Sequence, residues 1–288
     1  MISLSIDQGT CIRCGKCVRV CPAHIMVQDT PGGQVVPENI ETCILCGHCV
    51  ATCPTGSVVH SVFPPEKVHA IDRELLPSAG QVLLLCKSRR SNRAFSPKPV
   101  PEELLQQVLD AAHSAPTASN QRQVHYTVIT NPKELHQVTA LTIQVFASLL
   151  KLIANPVVKP LLNTFAPDVA HMVPQIRHLT NEFAEGRDPI LRGATAVILI
   201  HTPRKSRFGC QDANLAYQNA SLMAESLGVS QFYTGYVSAA IEQDKRKDRL
   251  ARYLGIDGKI QAGMALGMPS FKFPNYIDRE EIDVRYFR

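Results

Sequence analysis

CIRCGKCVRVCPA at residues 11–23 and CILCGHCVATCPT at residues 43–55 decide how this chain is read. Cys11, Cys14, Cys17 and Cys21 run up to Pro22, and Cys43, Cys46, Cys49 and Cys53 run up to Pro54. The spacing C-x2-C-x2-C-x3-C-P is therefore written twice, with 8 identities in 13 positions, which marks an internal repeat. Three thiols so close in sequence let a curled backbone wrap one corner of a metal cage. Gly15 and Gly47 hold the same place in each copy, where a residue without Cβ lets the backbone approach closely.

The doubled run resembles the bacterial two-cluster ferredoxins, in which the fourth cysteine of each run ligates the other cluster. The resemblance implies two 4Fe-4S clusters, one held by Cys11, Cys14, Cys17 and Cys53, the other by Cys43, Cys46, Cys49 and Cys21. Structural zinc prefers one tetrahedral set, often two CxxC pairs across a longer loop, and fits the pattern poorly. A disulfide framework fits less well still. The opening MISLSIDQ lacks the basic and apolar segments of a signal peptide, and iron–sulfur thiolates belong to a reducing compartment, so a cytoplasmic location is expected. Cys86 and Cys210 fall outside the repeat and read as small buried residues.

Outward from the repeat, the composition is that of a globular protein. The chain has 288 residues, 45% hydrophobic, with a net charge of +5. Its cations are scattered rather than striped, which argues against nucleic acid. The most apolar stretch, Leu141 to Leu162, is interrupted by Lys151, Pro156, Lys159 and Pro160, so no membrane span is expected.

The division expected is a ferredoxin domain over 1–63, a linker and connector helix over 64–78, and a second domain over 79–288. In the second domain, Ala79 to Lys87 has helical spacing. Pro101 to His113 reads as a helix with Glu102 and Glu103 at its positive end. Val124 to Thr130 alternates like a strand, and Asn131-Pro132 opens another helix. Ala194 to Ile200 reads as a buried strand, Asp212 to Leu227 as a helix closed by Gly228, and Ile260 to Gly267 as a last strand. Phe146 to Asn163 and Phe165 to Phe183 read as long helical segments. The fold class expected is α+β, a small ferredoxin-like domain followed by helices around a central sheet.

Five blocks carry a second resemblance: RRSNRAF at 89–95, APTASN at 115–120, RDPILRGATAVILI at 187–200, AYQNASLMAESLGVSQFYTGY at 216–236 and ALGMPSFKFPNYIDR at 265–279. In this order they resemble the nitroreductase-like FMN oxidoreductases, in the branch with an N-terminal ferredoxin. The resemblance implies FMN. Arg89, Arg90 and Ser91 would hold its phosphate or ribityl end, as fork-shaped donors suit a phosphate. Arg93 would face the pyrimidine edge, and Asn120 would bond the ribityl chain or ring. Gly235 would let the backbone approach the flavin, and Arg279, with Lys272 behind it, would close the phosphate site. The chain departs from the family at Gln121-Arg122-Gln123-Val124-His125, where a Gln-Pro pair and an aromatic are common. It departs again at Ser230-Gln231-Phe232-Tyr233, where relatives often show Gly-Thr-Cys-Trp. Arg122 would add a positive charge near the flavin. Among the histidines, His125 is the best placed to donate a proton, while His24, His48, His113 and His171 read as structural or surface residues.

The function implied is an iron–sulfur flavoenzyme. A low-potential donor, a ferredoxin-like protein or NAD(P)H, would supply electrons, and the acceptor would be a reducible organic compound such as a nitroaromatic or a quinone. The family also implies a homodimer. The alternative is an electron-transfer subunit that relays electrons between a partner protein and FMN without a small-molecule substrate of its own.

Overall fold

A computed structural model describes residues 2–153, 167–244 and 247–288. They form two compact units: Met1–Pro77 with Ala118–Arg122, and Ser78–Thr117 with Gln123–Arg288. The expected division placed 118–122 in the second domain. The difference arises because this short segment hydrogen-bonds into the first unit.

The first unit has two antiparallel pairs, β1 (Leu4–Ile6) with β4 (Val58–His60) and β2 (Met26–Val27) with β3 (Val36–Pro37). Short helices α1 (Lys16–Val20) and α2 (His48–Ala51) lie within the two cysteine runs and carry Cys17 and Cys49. The displacement that carries Cys11 onto Cys43 also carries β1 onto β3 and β2 onto β4. The sequence repeat is thus a structural repeat. The backbone repeats in detail: Gly15 and Gly47 have φ of 67° and 73°, and Arg13 and Leu45 have φ of 58° and 54°. At the glycines the left-handed conformation is the reason for the residue type. Leu4, Ile25, Met26, Val35 and Val58 pack with Cys17 and Cys49 as the core.

The expected connector helix over 66–77 is not formed. A 3-10 turn at Pro65–Lys67 is followed by chain without regular structure. Asp72, Arg73, Glu74 and Pro77 leave too little apolar periodicity there to pack a helix.

In the second unit α3 (Ala79–Ser88) starts on a capping box between Ser78 and Gln81. Helices α4 (Glu102–His113), α5 (Pro132–Ile153), α6 (Pro167–Ala184), α7 (Gly209–Ser226), α8 (Gly235–Gln243) and α9 (Arg249–Tyr253) surround a four-stranded antiparallel sheet. Its strands are β5 (His125–Ile129), β6 (Ala196–Thr202), β7 (Ser230–Tyr233) and β8 (Lys259–Gly267), in the order β5-β6-β8-β7. Both faces of β6 are covered. Val197 and Leu199 face a core shared with α5, α6, α8 and α9, while Ala196, Ile198 and Ile200 face one shared with α4 and α7. That is why 196–200 is a continuous apolar run although the sheet is antiparallel.

Helix α5 begins where the sequence places it. It begins at Pro132, and by length and composition alone it could cross a membrane. Leu135, Val138, Ile143, Val145 and Phe146 are buried in the sheet's core, as in a core helix. Residues 154–166, the middle of the expected helical stretch, lie outside those described. Cys86 and Cys210 are exposed, not buried. Cys86 lies on α3, which has no buried residue, and Cys210 lies in the first turn of α7.

A partly buried ion pair joins α8 to α9. Asp244 accepts from the Arg249 backbone N–H, Nε and Nη2, each at 3.0 Å. Burial raises the Asp244 carboxyl, but these donors outweigh it and hold the group below its usual range. A depressed folded-state value means stability that is present above the unfolded pKa of ~3.9 and lost as pH falls through the folded value. Asp244→Asn is therefore expected to cost about 1–3 kcal/mol at pH 7. Its Tm should converge with that of the parent below about pH 4 in calorimetric scans. A gap unchanged at low pH would contradict this.

Candidate functional site

The eight repeat cysteines form two groups. Cys11, Cys14, Cys17 and Cys53 line one cavity together with Gly15, Pro54 and Val58. Cys49 lies within electrostatic reach of Cys46, Cys21 and Cys43. No three His, Cys, Asp or Glu side chains converge as they would on a single metal ion, among the described residues. Thiols ringing a cavity suit a polyatomic cage better than zinc, whose four ligands meet at one point about 2.3 Å away.

The thiols differ in environment. Burial pushes Cys17 up and Cys49 up to about 11. A cluster's own positive charge must offset this, since a coordinating thiol is deprotonated. Cys53 is also raised by burial, but N–H groups of Thr55, Ser57 and Val58 and the Thr55 hydroxyl bring it below its ordinary value. Those donors are what a cluster sulfur needs. His60 stands 3.8 Å from the Cys43 sulfur through Nε2, while its Nδ1 accepts the Val62 N–H. The proton therefore sits on Nε2, which donates to sulfur, and burial keeps the ring neutral by lowering its pKa.

In the second unit the basic residues gather where α3 ends. Arg89 is the C-cap of α3, donating its N–H to Leu85. Ser91 bridges to Gln231 on β7. Arg93 donates to the Ser91 carbonyl and lies 5.3 Å from the centre of the Phe232 ring. Arg90 reaches the Ile277 carbonyl at 3.5 Å. The Lys272 ammonium lies beside Gly228 at the end of α7. Gly235 opens α8, and a Cβ there would meet nothing within 4 Å, leaving clear space beside its backbone. Arg279 is exposed, one residue beyond Asp278, whose carboxylate pairs with Lys87 of α3 at 2.9 Å.

Several polar residues of this site escaped the sequence reading. Tyr217, Ser221 and Glu225 recur every four residues along one stripe of α7, the only signal that could have found them. Tyr217 donates to Gln231 Oε1 at 2.9 Å, and Gln231 Nε2 donates to Ser221 at 3.2 Å. Burial raises the Tyr217 hydroxyl to about 12. Burial also raises Glu225, against the pull of the Arg90 backbone N–H and the charges of Arg89, Lys272 and Arg90. Glu225 thus fixes the turn that presents the two arginines. Asn92, buried, ties the same turn to the Phe271 carbonyl at 3.1 Å. A cluster of two guanidiniums, one ammonium and free backbone suits a phosphate-bearing ligand.

Asn120 belongs to the first unit. Its amide donates to the Ile44 and Leu45 carbonyls at 2.9 and 2.8 Å, so both hydrogens are committed to the second cysteine loop. Arg122 donates to the Leu45 carbonyl at 2.9 Å. His125 pairs in register with His201, their rings 5.8 Å apart, and His201 is bonded to Thr127. Burial and His125 together lower the His201 pKa.

Residues 86–268 match the model of the nitroreductase family, and residues 3–55 that of a 4Fe-4S dicluster domain. Over 57 residues the chain is 40% identical to a Methanothermobacter thermautotrophicus protein named as an NADH dehydrogenase/NAD(P)H nitroreductase. That alignment covers 20% of this chain and 30% of the relative, so the chain spans about a third of the relative's length. A nitroreductase with bound FMN from Bacteroides fragilis superposes with a TM-score of 0.54 at 19% identity, over 72% of this chain and 99% of that one. An FMN-dependent nitroreductase from Clostridium difficile gives 0.52 at 17%, over 73% and 100%. At such identities the likeness is one of fold. Because the family match spans more than half of its residues, the chain belongs to the nitroreductase family, and it carries a 4Fe-4S dicluster domain ahead of the family domain.

Proposed function

We propose that the protein is an FMN-dependent iron–sulfur oxidoreductase that takes electrons from a low-potential donor and delivers them to a reducible organic acceptor, such as a nitroaromatic or a quinone. The single observation that carries this reading is the pairing, in one chain, of two cysteine cages with a basic, phosphate-suited site on a nitroreductase fold. The clusters supply one-electron carriage, and FMN supplies transfer in pairs or as hydride.

The chain's own residues bind and orient. Arg89, Arg90 and Lys272 offer charge to the phosphate, with Arg279 of the C-terminal stretch as a further cation. Ser91 offers a hydroxyl. Arg93, braced on Phe232, would offer positive charge to the negatively charged reduced ring. Gly235 leaves room for close backbone approach. Cys11, Cys14, Cys17 and Cys53 hold one cluster, and Cys43, Cys46, Cys49 and Cys21 the other. A homodimer in the cytoplasm, reduced by a ferredoxin-like protein or by NAD(P)H, completes the reading.

The test is anaerobic purification with iron, sulfide and flavin analysis, followed by rapid-mixing reduction of the flavin band. About eight iron, eight sulfide and one FMN per chain are expected. Arg89→Ala should weaken flavin binding roughly 10- to 100-fold, as loss of a charged hydrogen bond costs ~1.5–3 kcal/mol. Oxidation of the reduced protein by nitroaromatics or quinones supports the enzyme. Reoxidation by partner proteins alone would favour the relay subunit.

A further inference from the structure

The two halves of the ferredoxin unit are not equivalent at one carbonyl. In the first cysteine loop, the left-handed residue Arg13 presents its carbonyl to Gln28 Nε2 at 3.0 Å. Gln28 also fills the space beside Gly15, where a Cβ would strike its Oε1. The repeat displacement carries Arg13 onto Leu45, Gly15 onto Gly47 and Gln28 onto His60. His60, however, turns to the Cys43 sulfur and Val62. The space beside Gly47 is taken by the Phe63 ring. The Leu45 carbonyl is met instead by Asn120 at 2.8 Å and by Arg122 at 2.9 Å, both from the segment Ala118–Arg122. The Arg122 guanidinium also lies 5.9 Å from the centre of the Phe63 ring. One half-site is thus closed by a neutral local amide, the other by a remote segment bearing a full positive charge.

We infer that Arg122, seated on the loop Cys43–Cys49 by Asn120, raises the reduction potential of the cluster held by Cys43, Cys46, Cys49 and Cys21. The reduced cluster carries one more negative charge than the oxidised one. A nearby cation stabilises that charge, and net charge and hydrogen bonding are the protein's means of tuning such potentials. The two donors also offset the negative end of the Leu45 carbonyl. Arg122 is a positioning and tuning residue and needs no contact with substrate. The inference rests on the iron–sulfur reading above.

The test is an EPR-monitored redox titration of the full chain holding both clusters. In Arg122→Gln, one couple is expected to move to lower potential and the other to stay. The reduced-to-oxidised ratio of the affected couple at fixed potential should change roughly three- to tenfold, about 28 to 59 mV at 59 mV per decade for one electron. Arg122→Lys, which keeps the charge, should retain more than half of the potential. The gap should shrink as salt rises, because Arg122 is exposed. Gln28→Arg should raise the other couple. Two intact couples unmoved by Arg122→Gln, or both moved equally, would overturn the inference while leaving the dicluster reading in place. Absence of two couples in the parent protein would overturn both.

Discussion

Cys53→Ser is expected to abolish the cluster of Cys11, Cys14 and Cys17, which lie far from it in sequence, and to spare that of its near neighbours Cys43, Cys46 and Cys49. Cys53 lines the same cavity as Cys11, Cys14 and Cys17. Pro54 turns the chain after it, and donors from Thr55, Ser57 and Val58 hold its sulfur in place. Iron should fall from about eight to about four per chain, with one EPR couple remaining. Loss confined to the Cys43 couple would show that the cages are paired otherwise. A one-electron donor should then reduce the flavin far more slowly, while dithionite reduces it still, if the lost cluster lies on the entry route.

The largest effect on stability is expected from Leu199→Ala. Leu199 is fully buried in the middle of β6, between Thr127 of β5 and Gly263 of β8. Its Cδ2 would lie 3.2 Å from a Cβ at Gly263, where such a Cβ would also collide with the Thr234 hydroxyl. Truncation leaves a void that sheet and helices on that face cannot close, since Gly263 offers no side chain to fill it. The expected cost is about 2–5 kcal/mol, read as a shift in denaturant midpoint at constant m-value. A loss below 1 kcal/mol would mean that the core on this face collapses readily.

Both predictions rest on features of different legibility. The 4Fe-4S dicluster domain was readable because ligand chemistry demands a short, rigid cysteine spacing, and the repeat doubled the signal. The strand at 194–200 was readable as an apolar run, and α4, α5 and β8 by their periods. Strand β7 was not, because Ser230-Gln231-Phe232-Tyr233 has no alternation and its buried Gln231 is satisfied only by Tyr217 and Ser221. Helices α8 and α9 are short, and their register is held by the Asp244–Arg249 pair, which no local pattern announces. The Arg89–Ser91 turn was legible as a basic cluster, while its anchors Glu225 and Asn92 were visible only as an ordinary helical glutamate and an ordinary asparagine.

By itself the sequence determined the dicluster repeat, the nitroreductase-like α+β fold and the basic run at 89–93, because each depends on residues near in the chain or on fixed ligand chemistry. Only the tertiary structure decided where the segment 118–122 belongs. Within the first unit the Asn120 amide bonds Ile44 and Leu45, and Arg122 follows it onto the same Leu45 carbonyl. The reason is physical: the carbonyl of Leu45, a left-handed residue, is not met by a local donor such as the one Gln28 supplies to Arg13 in the first repeat. A polar group so placed takes whichever donor the fold brings to it, and no spacing in the sequence records that encounter.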